Sequence, residues 1–325
     1  PLEETPPIAQ EIGLVRYLAI GDSYTVGEGL ETSKSWPYQL KRKLLEDGYV
    51  KNGGVLSDET VSLVEKYGLR HSATMAIAPN GTLAILAGNV SGSNNSAFGF
   101  QALKANTTGF RNNAFGYNAL RNNTIGYSNV AMGHTALASN TIGSLNTAVG
   151  YSSLTANTTG SHNSAFGTYA LNANTIGIYN TAIGRSALSV NIIGSANTAV
   201  GFQALEANTT SNNSAFGYRA LLSNTTSNNS AFGFRSLFNN TIGTSNAAFG
   251  KDSLFSNTTG STNSAFGKDA LKYNTIGISN SGFGYRSLYS NTTGSNNSAF
   301  GLYTLRNNTT GGGNSAFGYG SLRSN

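Results

Sequence analysis

A serine hydrolase needs a base to take the proton of its nucleophile, so side chains able to act as that base are informative. The chain has three histidines, His71, His134 and His162, and no aspartate is followed by a histidine three residues on. Cysteine is absent, which removes disulfide frameworks and thiolate metal sites. Beyond residue 90 the carboxylates are Glu206, Asp252 and Asp269, too few for calcium-loaded turns, so neither metal nor cofactor is expected. The glycines recur a full repeat apart rather than inside one strand-to-helix turn, which excludes phosphate-binding and dinucleotide-binding loops. Aromatic residues that follow a recurring glycine, such as Phe100, Tyr117, Tyr151 and Tyr218, could stack on sugars or pack between chains. Packing is the preferred reading, and the chain is not expected to be an enzyme.

Composition supports that direction. Charged residues make up 10% of the 325, against about 25% in ordinary soluble domains, and there are 40 glycines. Residues 1–90 carry 11 acidic and 8 basic groups, a net of −3. The remainder carries 3 acidic and 12 basic, a net of +9, and the two sum to the overall +6. A boundary near residue 90 therefore separates a small N-terminal segment, 1–90, from a rod, 91–325. The basic excess would suit anionic glycans, lipopolysaccharide or nucleic acid. Because Lys and Arg never form a run beyond residue 90, the reading is a thinly charged solvated surface with no nucleic-acid partner. No apolar run approaches the roughly 20 residues of a membrane span.

The elements that must position these residues are set by a repeat. From Asn95 onward the pattern N-[ST]-A-[FVIM]-G-x-x-[AS]-L-x-x-N-T-[TI]-G-x-x recurs every 17 residues. Two steps are of 16, where Ser211 and Ser227 stand in place of the usual glycine. A short apolar segment bounded by Asn and Gly has the signature of a strand. The N-T-[TI]-G segment is expected to supply left-handed backbone and tight turns. Seventeen residues would close one coil of two short strands and two turns, giving an all-β solenoid of about fourteen coils. At about 4.8 Å per coil the rod would be roughly 65–70 Å long.

Two sets of positions stand out. The second asparagine of each unit should stack into a structural ladder: Asn106, Asn123, Asn140, Asn157, Asn174, Asn191, Asn208, Asn224, Asn240, Asn257, Asn274, Asn291 and Asn308. Within the strand, Phe166 and its equivalents should face one way and the neighbouring Ala165 and Gly167 the other. A line of small residues, Gly99, Gly116, Gly133, Gly150, Gly167, Gly184 and Gly201, would let a second backbone approach closely. Strands apolar on both faces are usually covered on both. Side-by-side association of three copies is expected, with end-to-end joining left open.

The N-[ST]-A-[FVI]-G unit followed by [AS]-L resembles the head repeats of trimeric autotransporter adhesins. The longer N-T-A-V-G-Y-x-A-L-x-x-N-T-T-G pattern is similar to repeats of tail-fibre-domain proteins. Together these cover residues 95–325. The resemblance implies a left-handed β-roll trimer used in adhesion or host recognition, at a cell surface or on a virion.

The first ninety residues read differently. LVRYLAIGD (14–22) is a buried-strand pattern, and SWPYQLKRKLLEDGY (35–49) places Trp36, Leu40 and Leu44 on one helical face behind a Ser35 cap. Residues 57–70 fit a second short helix, and 73–90 a hairpin around Pro79-Asn80-Gly81 that could cap the first coil. A small α/β segment results. Strand, GDS turn and helix resemble the first block of SGNH (GDSL-type) hydrolases, which implies Ser23 as the nucleophile. That family's late D-x-x-H block is missing here, so a reused remnant is favoured over an active esterase.

The leading expectation is a structural fibre or adhesin subunit of an extracellular appendage or tail fibre. Its partners would be further copies of itself and a surface glycan or host receptor. The alternative is an ice- or polysaccharide-binding solenoid using Asn/Thr ladders, and the second alternative an SGNH-type esterase.

Overall fold

The computed structural model describes residues 92–324 and, ahead of them, the backbone of a two-residue strand, β1 (Thr74–Met75). Compact units divide between Ser72 and Ala73, which puts β1 in the same unit as the repeats. Ser23, His71, the strand at 14–22 and both expected helices lie outside the described residues, as does most of the 73–90 hairpin.

The repeat folds into a parallel β-solenoid. Fifteen strands form one sheet whose spatial order is the order of the chain, β1 followed by β2 (Ser96–Phe98) through to β15 (Ser315–Phe317). Neighbours are parallel and in register, with Ser96, Ala97 and Phe98 beside Asn113, Ala114 and Phe115. Thr74 and Met75 pair with Ser96 and Ala97, adding a rung before the first coil. Among the described residues there is no helix. Thirteen coils are complete, and β15 opens a fourteenth.

Each coil contains one strand where the sequence reading expects two. Residues 99–106 instead form three overlapping turns. Ala102 N–H donates to Gly99 O, Lys104 to Gln101 O and Asn106 to Leu103 O, at 3.2–3.3 Å. The backbone is left-handed at alternate residues, with φ of 130° at Gly99, 54° at Gln101 and 53° at Leu103. Bonding along the rod survives this without β dihedrals, because Leu103 and Ala105 donate to Ala119 O and Arg121 O of the next coil. The left-handed positions therefore fall at residues such as Gly99, Gln101, Leu103 and Arg111, and not in the N-T-[TI]-G segment. A left-handed leucine costs about 1–2 kcal/mol. Its complete burial returns about 1.5–3 kcal/mol, so the coil tolerates it.

The interior of each coil is narrow. Ala97, Ala102 and Leu103 fill it with the side chains of Asn95 and Asn106, and all five are buried. No space remains for a ring, so Phe98 turns outward and is 46% exposed. This reverses the consequence drawn from the strand's two faces: alanine lines the core, and the bulky residue faces solvent. The glycine line does allow a close approach, but to the next coil of the same chain. A Cβ on Gly99 would sit 2.5 Å from Gly116 O, at a φ of 130° that L side chains rarely adopt.

Candidate functional site

The ladder asparagines point inward. Asn123 Nδ2 donates to Asn106 Oδ1 at 2.8 Å and to Gly126 O at 2.9 Å. The same two bonds recur at Asn140, Asn157 and Asn174. Asn191 repeats them, and so do Asn240, Asn257, Asn274, Asn291 and Asn308.

A second ladder runs beside it on the opening asparagine. Asn129 N and Nδ2 both donate to Asn112 Oδ1, and Nδ2 also reaches Gly143 O. Its recurrence in every unit marks this asparagine, like the second, for a ladder. The glycine of N-T-[TI]-G is where the ladders meet, since Asn95 and Asn106 both donate to Gly109 O. A Cβ there would collide with Asn106 Oδ1 and Gly126 O.

The two short coils test this arrangement. With the glycine deleted, Thr210 O takes the amides of both Asn197 and Asn208. The neighbouring Asn191 Oδ1 is left buried with no partner. In the second short coil Asn224 donates to Thr226 O and keeps its bond to Asn208 Oδ1.

Because these amides are spent inside the rod, they present no array to a ligand. The threonine row is committed as well: Thr107 Oγ1 donates to Thr124 O, and the pattern repeats at Thr124, Thr141 and Thr158. Beside it lies a mixed Thr/Ile row in which Ile125, Ile142 and Ile176 are exposed.

The outward surface carries the chemistry that remains. Phe216, Phe232, Phe249, Phe266, Phe283, Phe300 and Phe317 form an uninterrupted ladder, ring centroids 4.6–5.2 Å apart and planes within 10°. Toward the N-terminal coils the same column is broken by Met132, Val149, Ile183 and Val200. The aromatics after the glycine form a second column, in which Phe100, Tyr117, His134 and Tyr151 stack successively. His162 lies against Tyr179 in another column, so the described histidines belong to ring stacks.

Cations are interleaved with the second column in the C-terminal half. Residues 213–325 hold eight basic residues and two acidic ones, +6 of the rod's +9. Arg235 lies over Phe234 and Phe255, and Arg286 over Tyr285 and Tyr289. Asp252 and Asp269 are buried and bind these cations together. Arg235 pairs with Asp252 at 2.9 Å, Lys272 with both carboxylates at 3.5 and 2.9 Å, and Arg286 with Asp269 at 3.4 Å. Burial would lower the pKa of Lys272. The Asp269 hydrogen bond and the pull of both carboxylates outweigh it and hold the ammonium above its ordinary 10.5. Tyr289 is also raised, through its hydrogen bond with Tyr273 and then by burial.

Among the described residues no group of three or more His, Asp and Glu is placed to hold a metal ion, and no helix is long and apolar enough to cross a membrane. No protein-family model matches the chain, and no curated protein matches it significantly.

Proposed function

We propose that this chain is a structural fibre or adhesin subunit of an extracellular appendage or tail fibre, acting through assembly and surface binding rather than catalysis. The observation that carries the reading is the phenylalanine ladder. Seven rings lie in one line on the outer face of a sheet whose core is complete without them. A continuous apolar stripe, half-buried from Phe232 to Phe283 and exposed at Phe216, Phe300 and Phe317, marks an interaction site. A second copy of this chain is the occupant that fits, because its rings share the same 4.6–5.2 Å repeat and can meet the ladder along its whole length. Three copies around an axis would bury every ladder.

Light scattering of the native particle, with electron microscopy of the same sample, tests this. The expected result is a three-chain particle or a thin fibre, and Phe249→Ser/Phe266→Ser/Phe283→Ser should release monomers. A compact wild-type monomer of 33.8 kDa would overturn the reading.

A further inference from the structure

Along most of the column after the glycine, rings stack face to face and cover one another. Phe202, Tyr218 and Phe234 do so at 5.1–5.4 Å with planes within 11°. In the last coils Lys251, Lys268 and Leu302 interrupt that column, and tyrosines of neighbouring columns meet edge-on, as Tyr151 and Tyr169 do earlier. Tyr273 and Tyr289 meet at 83°, Tyr285 and Tyr303 at 69°, and Tyr303 and Tyr319 at 79°. Tyr285, Tyr289 and Tyr303 are half-buried in this arrangement, while Tyr273 and Tyr319 are exposed. Threaded among them is a file of cations: Lys268 over Tyr285 at 5.6 Å, Arg306 over Tyr289 and Tyr303 at 5.7 and 5.2 Å, and Arg323 over Tyr303 at 5.6 Å. Arg286 joins Tyr285 to Tyr289 at 5.0 Å from each, so these contacts make one continuous surface over four successive coils.

The charge on this surface is uncompensated. The two nearby carboxylates, Asp252 and Asp269, are already occupied by Arg235, Lys272 and Arg286. No carboxylate pairs with Lys268, Arg306 or Arg323 among the described residues. Cations held against rings are fixed in place before any ligand arrives, which lowers the ordering cost of binding. The partner must therefore be anionic, extended and periodic along the rod. It must also offer apolar faces to tyrosine rings.

We infer that this tyrosine-arginine surface binds a linear acidic polysaccharide, its uronate carboxylates paired with Lys268, Arg306 and Arg323 and its pyranose faces packed on the exposed rings of Tyr273 and Tyr319. Pyranose rings meet the tyrosines with their axial C–H faces, while each carboxylate takes a guanidinium or ammonium. A base-stacking polymer is less suited, because adjacent coils hold neighbouring rings 5.0–6.3 Å apart and leave no slot for a flat base between them. This surface is separate from the phenylalanine ladder, so its test does not depend on self-association.

The test is binding of the intact chain to polygalacturonate by calorimetry at fixed salt, with neutral dextran and a single-stranded polynucleotide as comparisons. Polygalacturonate should bind, weakening as salt rises, while dextran should not. Arg306→Gln/Arg323→Gln should weaken binding about thirtyfold, two lost ion pairs at the upper end of the surface range. Lys268→Gln, at an exposed side chain whose loss leaves the core untouched, should weaken it severalfold, and Tyr117→Ser in a distant coil should not change it. Wild-type affinity in the Lys268 and Arg variants would overturn the inference. So would polynucleotide binding as tight as polygalacturonate with the same dependence on these residues.

Discussion

Asn174 shows how much of the rod rests on one side chain type. Its amide donates to Asn157 Oδ1 and Gly177 O, and its own Oδ1 accepts from Asn191. Asn174→Ala would leave Asn157 Oδ1 and an Asn191 N–H buried without partners. At about 1–3 kcal/mol for each orphaned group, the expected loss is roughly 2–6 kcal/mol. Ile176→Thr, two residues away and 54% exposed, should stay within about 0.5 kcal/mol of wild type. Denaturant unfolding of the two variants, read against the parent, checks both numbers. Equal stability would mean the ladder bonds do not outweigh those the amides make with water. At this scale the sequence was readable. Recurrence of Asn in every unit marked the ladder positions, because its short amide both donates to and accepts from its own copy.

A coil is held together by the meeting of two ladders at one carbonyl, so its weak point is where that carbonyl is displaced. In the coil that begins at Asn197 the glycine is absent, Thr210 O substitutes, and Asn191 Oδ1 loses its rung. Inserting glycine between Thr210 and Ser211 should let Asn208 reach Asn191 again. The expected gain is about 1 kcal/mol, the net worth of one buried hydrogen bond. It should appear as slower amide hydrogen exchange in the coils on either side. Unchanged exchange there would show that Thr210 O already serves as well as a glycine carbonyl. The sequence showed the deletion but not its consequence, which depends on where the amides point. It also misplaced the second strand and the outward phenylalanine. Both errors have one origin: a coil as wide as one leucine, two alanines and two amides cannot enclose a ring. The alternating turns at Gly99, Gln101 and Leu103 that make it so narrow put leucine where propensity would not.

At the scale of the molecule the rod is nearly one-dimensional, each coil touching only its neighbours, so local changes spread only as far as something bridges coils. In the C-terminal half that bridge is ionic. Arg235, Asp252, Lys272, Asp269 and Arg286 link four successive coils, whereas among the described residues no salt bridge joins the coils before residue 213. Lys272, held above its ordinary 10.5, gives stability that is fully present below that value and lost as pH rises through its folded pKa. Tyr289 acts in the same direction. It holds its proton past its ordinary 10.0 in the folded coil while the unfolded chain releases it, and that difference disfavours the folded coil as pH rises. Alkaline pH above about 10 should therefore loosen the coils around Leu254, Leu271 and Leu288 before those around Leu137 and Leu171. Leucine methyl resonances followed through a pH series would report each region separately. Lys272→Met should flatten the response of the C-terminal coils and leave the others unaltered. Simultaneous loss of all five leucine signals would instead mean that the rod melts as one cooperative body, with the ionic bridge adding nothing local.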